Sequence, residues 1–271
     1  MAIDPKKPEI NSDGDDRLSR RRQFSAIRGE PTRYTNTANR KRDQRLLELA
    51  IVRLLRDRTV KNVSELREDY VRGTLEISDV LPDPTEQFRV WFQNASDQGL
   101  PEPNAMSLAT ATADGRPSAR IVLLKGFDDR GFAFFTNYRS RKSRELNANP
   151  FAALLFYYPV LERQIRLEGR VEVLSSEESD TYYLSRPIGS RLGAWASNQS
   201  EVVADRSILD QRIAELEKRA ITDPFPRPPH WGGFRVIPDV FEFWQGRHNR
   251  MHDRIRYRLT ADGWVIERLE P

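Results

Sequence analysis

The sequence predicts a mainly β fold with helices (α+β), an antiparallel barrel carrying helical decoration, and three observations predict it. Short strand-like runs bounded by turn residues recur from AMSLATAT at 105–112 to WVIERL at 264–269. The clearest, ERQIRLEGRVEV at 162–173, sets Glu162, Gln164, Arg166, Glu168, Arg170 and Glu172 on one side and Ile165, Leu167, Val171 and Val173 on the other. That period of two is the pattern of a half-buried antiparallel strand. Helical segments interrupt the strands without alternating with them, which disfavours a doubly wound parallel sheet.

Residues 1–42 are rich in Arg, Asp, Pro, Asn and Thr, carry the basic runs RLSRRR (17–22) and RKR (40–42), and show no hydrophobic period. They read as a disordered basic tail, with a solvated role favoured over a nucleic-acid one. Asp4, Glu9, Asp13, Asp15 and Asp16 argue against a transit peptide. An extension helix is expected in 43–62, because Leu46, Leu47, Ala50, Ile51, Leu54 and Leu55 form one apolar stripe between Asp43 and Arg58. A short second helix is expected in SELREDYVRG (64–73). A third starts at Asp83-Pro84-Thr85-Glu86, where an N-cap acid, a proline at the first helical position and a glutamate at N3 precede Phe88, Trp91, Phe92 and Ala95 on one face. AMSLATAT, the turn ADGR and PSARIVLLK (105–125) predict a hairpin, followed by strands in GFAFFTN (131–137) and FAALLFYY (151–158). Helices are expected near 176–185 and 202–219, and then strands in GGFRVIP (232–238), VFEFWQG (240–246), DRIRYRL (253–259) and WVIERL (264–269).

A chain of 271 residues can bury a sizeable core. With no cysteine it has no disulfide, thiolate nucleophile, iron–sulfur cluster or cysteine-ligated zinc, and a reducing cytoplasmic location is expected. The longest apolar run, Phe151 to Leu161, is too short to span a bilayer and contains Pro159, and MAIDPKKPEI lacks the apolar core of a signal peptide, so no membrane partner is expected. The formal charge is only +4, but lysine occurs only at positions 6, 7, 41, 61, 125, 142 and 218, so the cations are mostly arginine, which suits phosphate and carboxylate groups. No nucleophile elbow, P-loop or dinucleotide fingerprint occurs. His248 and His252 have the spacing of a helical metal pair, but they lie in predicted strand or loop without an intervening glutamate or an evident third ligand, so no metal is expected.

What remains is a set of anion-binding residue types. Arg120 and Lys125 bracket an apolar run at a spacing that sends them to opposite faces of a strand. Ser140-Arg141-Lys142 stands at a predicted helix start, where free backbone donors, a hydroxyl and two cations suit a phosphate. Tyr182, Arg186 and Ser190 recur at four-residue steps and would converge on one anion along a continuous helix, although Pro187 interrupts it and a capped helix end with solvated side chains reads equally well. WQGRHNRMHDR (244–254) gathers Trp244, Arg250, His252, Asp253 and Arg254, aromatic surface beside cations that suits a flat anionic heterocycle.

The stretches RIVLLKGFDDRGFAFFTNYRSRK (120–142), LERQIRLEG (161–169), YYLSRPIGSRLGAWASNQS (182–200), WGGFRV (231–236) and EFWQGRHNRMHDRI (242–255) resemble the pyridoxine/pyridoxamine 5′-phosphate oxidases, in the family's order and from about Ser64 to the terminal RLEP. The resemblance implies an oxidase domain over 63–271, a split β-barrel and a homodimer holding two FMN molecules at its interface. The implied flavin contacts are Arg120, Ile121, Val122, Leu123, Leu124, Lys125, Phe135, Thr136, Ser140, Arg141, Lys142, Gln164, Gln199, Ser200, Trp244 and Arg254. The implied substrate-phosphate clamp is Lys125, Tyr182, Arg186 and Ser190, with Arg250 and His252 at the substrate's ring and reacting arm, and Arg67 and Tyr70 in a segment that folds over it. Met251 stands where the family pattern has leucine, a volume-conserving exchange. The implied reaction is oxidation of pyridoxamine or pyridoxine 5′-phosphate to pyridoxal 5′-phosphate by O2. Its rivals are a phenazine-pathway type of FMN oxidase on the same fold, a flavin or pyridoxal-phosphate carrier without turnover, and nucleic-acid binding through the tail.

Overall fold

The computed structural model describes residues 63–66, 68–220 and 225–271; the tail, the expected 43–62 helix and Arg67 lie outside the described residues. The alternating segments form β1 (Ala105–Ala111), β2 (Pro117–Leu123), β3 (Gly126–Asp128), β4 (Gly131–Asn137), β5 (Phe151–Tyr158), β6 (Arg163–Val173), β7 (Trp231–Gln245), β8 (Asp253–Thr260) and β9 (Gly263–Leu269). Every pairing among them is antiparallel. The order is β2-β1-β5-β6-β7-β4-β3, with β8 and β9 branching from β7. The helices are α1 (Pro84–Asp97), α2 (Arg141–Ala148), α3 (Ser176–Ser185), α4 (Ile188–Ala196) and α5 (Arg206–Ala220). None of the described helices is long and apolar enough to cross a membrane.

The branch at β7 splits the sheet. One edge of β7 pairs with β6 along its length, whereas its other edge pairs with β4 over Trp231–Val236 and with β8 over Val240–Gln245. GGFRVIP and VFEFWQG, expected as two strands, are therefore one strand of 15 residues. Pro238, which has no N–H to give, sits between the two pairings, at the register shift opposite Glu168 and Gly169. Gly169 is required there, since a Cβ at this position would lie 2.0 Å from the Ile237 carbonyl oxygen.

Along β6 the expected alternation holds for Ile165, Leu167 and Val171, which are buried. It fails at Val173, the last residue of the strand, which is 56% exposed while Leu174 just beyond it is buried and donates its N–H to the Gly233 carbonyl. The Asp83 carboxylate caps α1 by accepting from the N–H groups of Thr85 (2.7 Å) and Glu86 (3.1 Å). The apolar face of α1 then meets the sheet: the fully buried ring of Phe88 lies 4.8 Å from Phe127, 4.8 Å from Phe132 and 5.0 Å from Phe156, and Trp91 lies 5.3 Å from Phe243. Edge-on aromatic pairs at these separations add to the area they bury.

The helix expected in 64–73 does not form beyond a 3-10 turn at Val63–Glu65. Tertiary bonds replace the helical ones downstream. The Arg72 N–H donates to Glu162 Oε2 (2.9 Å), the Leu75 N–H donates to Asp253 Oδ2 (3.0 Å), and Arg268 donates to the Leu75 carbonyl (3.0 Å). Both carboxylates are buried, and the segment is strapped to the start of β6 and to β8 and β9.

Replacing Gly169 by alanine should lower stability by about 1–3 kcal/mol, as overpacking does. A denaturation midpoint equal to that of the parent would contradict the close approach at the bulge.

Candidate active site

A cleft of about 600 Å³ lies between the end of β2, β4, the α3–α4 corner and the start of β7. Of the residues singled out in the sequence, Leu123, Lys125, Phe135, Thr136, Tyr182, Arg186, Ser190 and Gln199 line it. Trp231, Asn137 and Ser197 also line it and were not anticipated. Tyr182, Arg186 and Ser190 do not share one helix face: α3 ends at Ser185, Arg186 is extended, and α4 begins after Pro187. They converge because the chain turns a corner at Pro187.

The Phe135 ring stacks on Tyr182 at 3.9 Å and on Trp231 at 5.6 Å, giving the cleft a flat aromatic wall. The Arg186 guanidinium lies 4.6 Å over Trp231. Its Nη1 is buried and has no hydrogen-bond partner among the described residues, and burial pushes its pKa below the usual arginine range. An unpaired buried cationic donor is costly, and an anion in the cleft would relieve it.

The second cationic group surrounds the start of α2. Ser140 holds the N-cap position, its Oγ 3.1 Å from Ser143 Oγ. The buried Lys142 ammonium donates to Thr136 Oγ1 (3.1 Å), Ser140 Oγ (3.3 Å) and Gln199 Oε1 (3.2 Å), all neutral acceptors. Burial first, then the positive charge of Arg120, pushes its pKa down to about 8. The Arg141 N–H donates to Ser200 Oγ (3.2 Å), and Ser200 holds a left-handed φ of 74°. Arg120 donates to Thr110 Oγ1 (2.5 Å) and to the Leu108 carbonyl (3.2 Å). Between Arg120 and Arg141 lies Glu145, a buried carboxylate that sequence reasoning missed. Burial alone would raise its pKa, but hydrogen bonds from Ser118, Thr110, Arg141 and Arg120 outweigh it and hold the group at about 2. The run between Arg120 and Lys125 divides: Leu123 faces the cleft, Ile121 points outward, Val122 packs against the core and Leu124 is buried in it.

A third group gathers at the other end of β7. Trp244 pairs with Gln164 on β6 and with Arg254 on β8. Its ring lies 4.6 Å from His252, and Tyr70 meets both rings edge-on at 5.7 and 5.6 Å. Gly246 permits this, since a Cβ there would fall 2.6 Å from the Tyr70 ring. His252 Nδ1 accepts the Arg247 N–H (3.1 Å), which places the ring proton on Nε2. Burial, then the charge of Arg250, lowers its pKa and keeps the ring neutral near pH 7. Arg250 and Asn249 both hold left-handed backbone, φ 61° and 54°, so this turn is strained. The Arg254 guanidinium is held by Glu242 (2.8 Å) and by the Glu270 carbonyl (2.9 Å).

Trp231 and Trp244 stand near opposite ends of the 15-residue β7, on the order of 40 Å apart along a strand rising about 3.3 Å per residue. No hydrogen bond or ring contact between described residues joins the third group to the cleft.

Residues 92–220 match the family described as pyridoxamine 5′-phosphate oxidase, and residues 231–271 match the pyridoxine 5′-phosphate oxidase C-terminal dimerisation region. A pyridoxine/pyridoxamine 5′-phosphate oxidase of Cupriavidus taiwanensis is 60% identical over 210 residues, covering 77% of this chain and 99% of its own. This chain belongs to the pyridoxine/pyridoxamine 5′-phosphate oxidase family. A Burkholderia multivorans oxidase of the same name is 58% identical over 212 residues, covering 77% of this chain and 99% of its own. Among solved structures, PhzG from Burkholderia lata, in complex with tetrahydrophenazine-1-carboxylic acid, is 34% identical with a TM-score of 0.69, covering 73% of this chain and all of its own. An FMN-binding protein of Nostoc punctiforme, 19% identical with a TM-score of 0.57 and covering 70% of this chain and 98% of its own, shares the fold. The chain is thus an oxidoreductase of an FMN-binding family, and it carries that family's dimerisation region.

The depressed pKa of Lys142 gives a test of the cationic group around it. FMN affinity, followed by flavin fluorescence, should fall as pH rises through about 8, where Lys142 loses its proton. In Lys142→Arg, which stays charged, it should stay level to about pH 10. The same decline in both proteins would contradict a binding role for the ammonium.

Proposed function

We propose that this protein oxidises pyridoxamine 5′-phosphate and pyridoxine 5′-phosphate to pyridoxal 5′-phosphate, with FMN as cofactor and O2 as electron acceptor. The observation that carries the reading is the unpaired Nη1 of Arg186, buried in the cleft within reach of the chain's own aromatic wall. Two cationic groups in one region, each short of an anion, call for two phosphates, and a phosphorylated flavin with a phosphorylated substrate supplies both.

Three cations, Arg120, Arg141 and Lys142, with the single carboxylate Glu145, leave two positive charges, the complement of a phosphate dianion. Together with Thr136, Ser140, Gln199 and Ser200, these residues would hold the phosphate end of FMN. The run from Ile121 to Lys125, Phe135, Gln164, Trp244 and Arg254 would complete the cofactor contacts. When bound, FMN would supply the redox chemistry, a two-electron oxidation at the substrate's C4′ carbon coupled to reduction of O2 to hydrogen peroxide, and water would then release ammonia from the imine left by the amine substrate.

The protein's own share is registration. Lys125, Tyr182, Arg186 and Ser190 would clamp the substrate phosphate and so fix the distance from phosphate to reacting carbon. His252, neutral and carrying its proton on Nε2, is a hydrogen-bond donor for the substrate ring, and Arg250 beside it would steady developing negative charge. Tyr70, packed on Trp244 and His252, and Arg67 would cover the substrate and exclude water. Since the Trp244–Arg254 group lies far along β7 from the cleft of its own chain, a complete site would take the cleft from one copy and that group from a second. The match of 231–271 to a dimerisation region supports this arrangement.

A phenazine-type oxidation remains the alternative on this fold, and the free donor of Arg186 beside Lys125 and Ser190 favours the phosphorylated pyridine. Steady-state oxidation with peroxide detection separates the two readings, and also separates an enzyme from a carrier. Pyridoxamine 5′-phosphate should turn over far better than pyridoxamine. Arg186→Ala should raise KM for the phosphorylated substrate at least about tenfold, the worth of one charged hydrogen bond, with flavin content unchanged. An unchanged KM would remove Arg186 from the clamp.

A further inference from the structure

We propose that Glu145 is a positioning residue that fixes the Arg120 and Arg141 guanidiniums for the flavin phosphate, and so makes the chain select FMN over riboflavin. This rests on the FMN reading above and adds to it a residue that would not touch the cofactor.

The geometry is that of a two-sided anchor. Glu145 Oε1 accepts from Arg141 Nε (2.8 Å), one helical turn earlier on α2, and Oε2 accepts from Arg120 Nη2 (3.2 Å), which comes from β2. Thr110 Oγ1 (2.5 Å) on β1 and Ser118 Oγ (2.6 Å) on β2 also donate to Oε2. The carboxylate thus joins one helix to two strands while its side chain is only 4% exposed. Arg141 is the residue that most needs such a tether, because its own side chain is 54% exposed and would otherwise sample many rotamers. Its two Nη atoms have no partner among the described residues, so the bond at Nε orders the guanidinium while leaving its outer donors available.

A carboxylate beside an anion site has two opposed effects, and they can be told apart by sign. As a charge it repels the phosphate, so neutralising it would tighten binding. As an anchor it holds the donors in place, so neutralising it would loosen binding. Four hydrogen bonds converging on one buried carboxylate argue that positioning wins.

The test titrates the flavin-free, full-length protein with FMN and with riboflavin, following flavin fluorescence, in the parent and in Glu145→Gln. The expected result is a rise of at least about tenfold in the Kd for FMN, while the Kd for riboflavin stays within about twofold. FMN binding that is unchanged or tighter would overturn the proposal in favour of a simple charge effect. An equal loss for both flavins would overturn it in favour of a general structural role. Should Glu145→Gln not fold, Glu145→Asp keeps the charge, is too short to reach both arginines, and is read by the same criteria. Failure of the underlying reading has a different mark, a parent protein that itself binds FMN no better than riboflavin.

Discussion

A guanidinium or ammonium withdrawn from water needs an anion close by, and where the protein supplies too few carboxylates a ligand must supply the rest. That imbalance organises the cleft of this protein. Several other arginines have carboxylate partners: Arg235 with Glu172 and Glu178, Arg268 with Asp253 and Glu76, Arg256 with Glu267. In the cleft Arg186 keeps a buried donor unpaired, and around the start of α2, next to the cleft-lining Thr136 and Gln199, Lys142 has only neutral acceptors while Arg120 and Arg141 share one carboxylate. On the proposed reading, this local shortage of carboxylates is what a phosphate would make good.

The scaffold follows from that requirement. Lys142 and Glu145, three residues apart on one buried face of the short α2 inserted between β4 and β5, reach Thr136 on β4 and Thr110 and Ser118 on β1 and β2. The aromatic core under α1 keeps those strands in place. The split of β7 at Pro238 carries the chain from the cleft to Trp244, and the strapped segment holding Tyr70 closes over that far end. On the proposed reading the two ends of one strand would serve the two halves of a site, which would give the dimerisation region a chemical purpose as well as a structural one.

Much of this was legible in the residues, and what was not has physical causes. The cap at Asp83 and the alternation along β6 are local signals, and local signals survive into the fold. In sequence β7 reads as two strands, one on each side of Pro238, and the β6 partner across the bulge keeps it continuous. α4 was not recognised because Pro187 cuts its register from α3, although the same proline makes Tyr182, Arg186 and Ser190 converge. The 64–73 segment reads as a helix, yet Glu162, distant in sequence, takes the Arg72 amide, and Asp253 takes that of Leu75 just beyond it. Within the site, cations next to a helix start and the 244–254 run, with Trp244 beside histidines and arginines, stand out by type. Trp231, Asn137 and Ser197 enter by tertiary placement alone, and Glu145 is an unremarkable acid in RKSRELN until Thr110, Ser118 and Arg120 are seen around it.

On the proposed reading, the two anion-hungry groups place a phosphorylated pyridine against a phosphorylated flavin so that electrons pass between them. The most direct measurement is the visible spectrum of the FMN-loaded protein on adding pyridoxamine 5′-phosphate without oxygen. The flavin band should bleach, return on admitting air, and fail to bleach when unphosphorylated pyridoxamine is added at the same concentration. A flavin that stays oxidised with the phosphorylated substrate, or bleaches equally with both, would contradict the account.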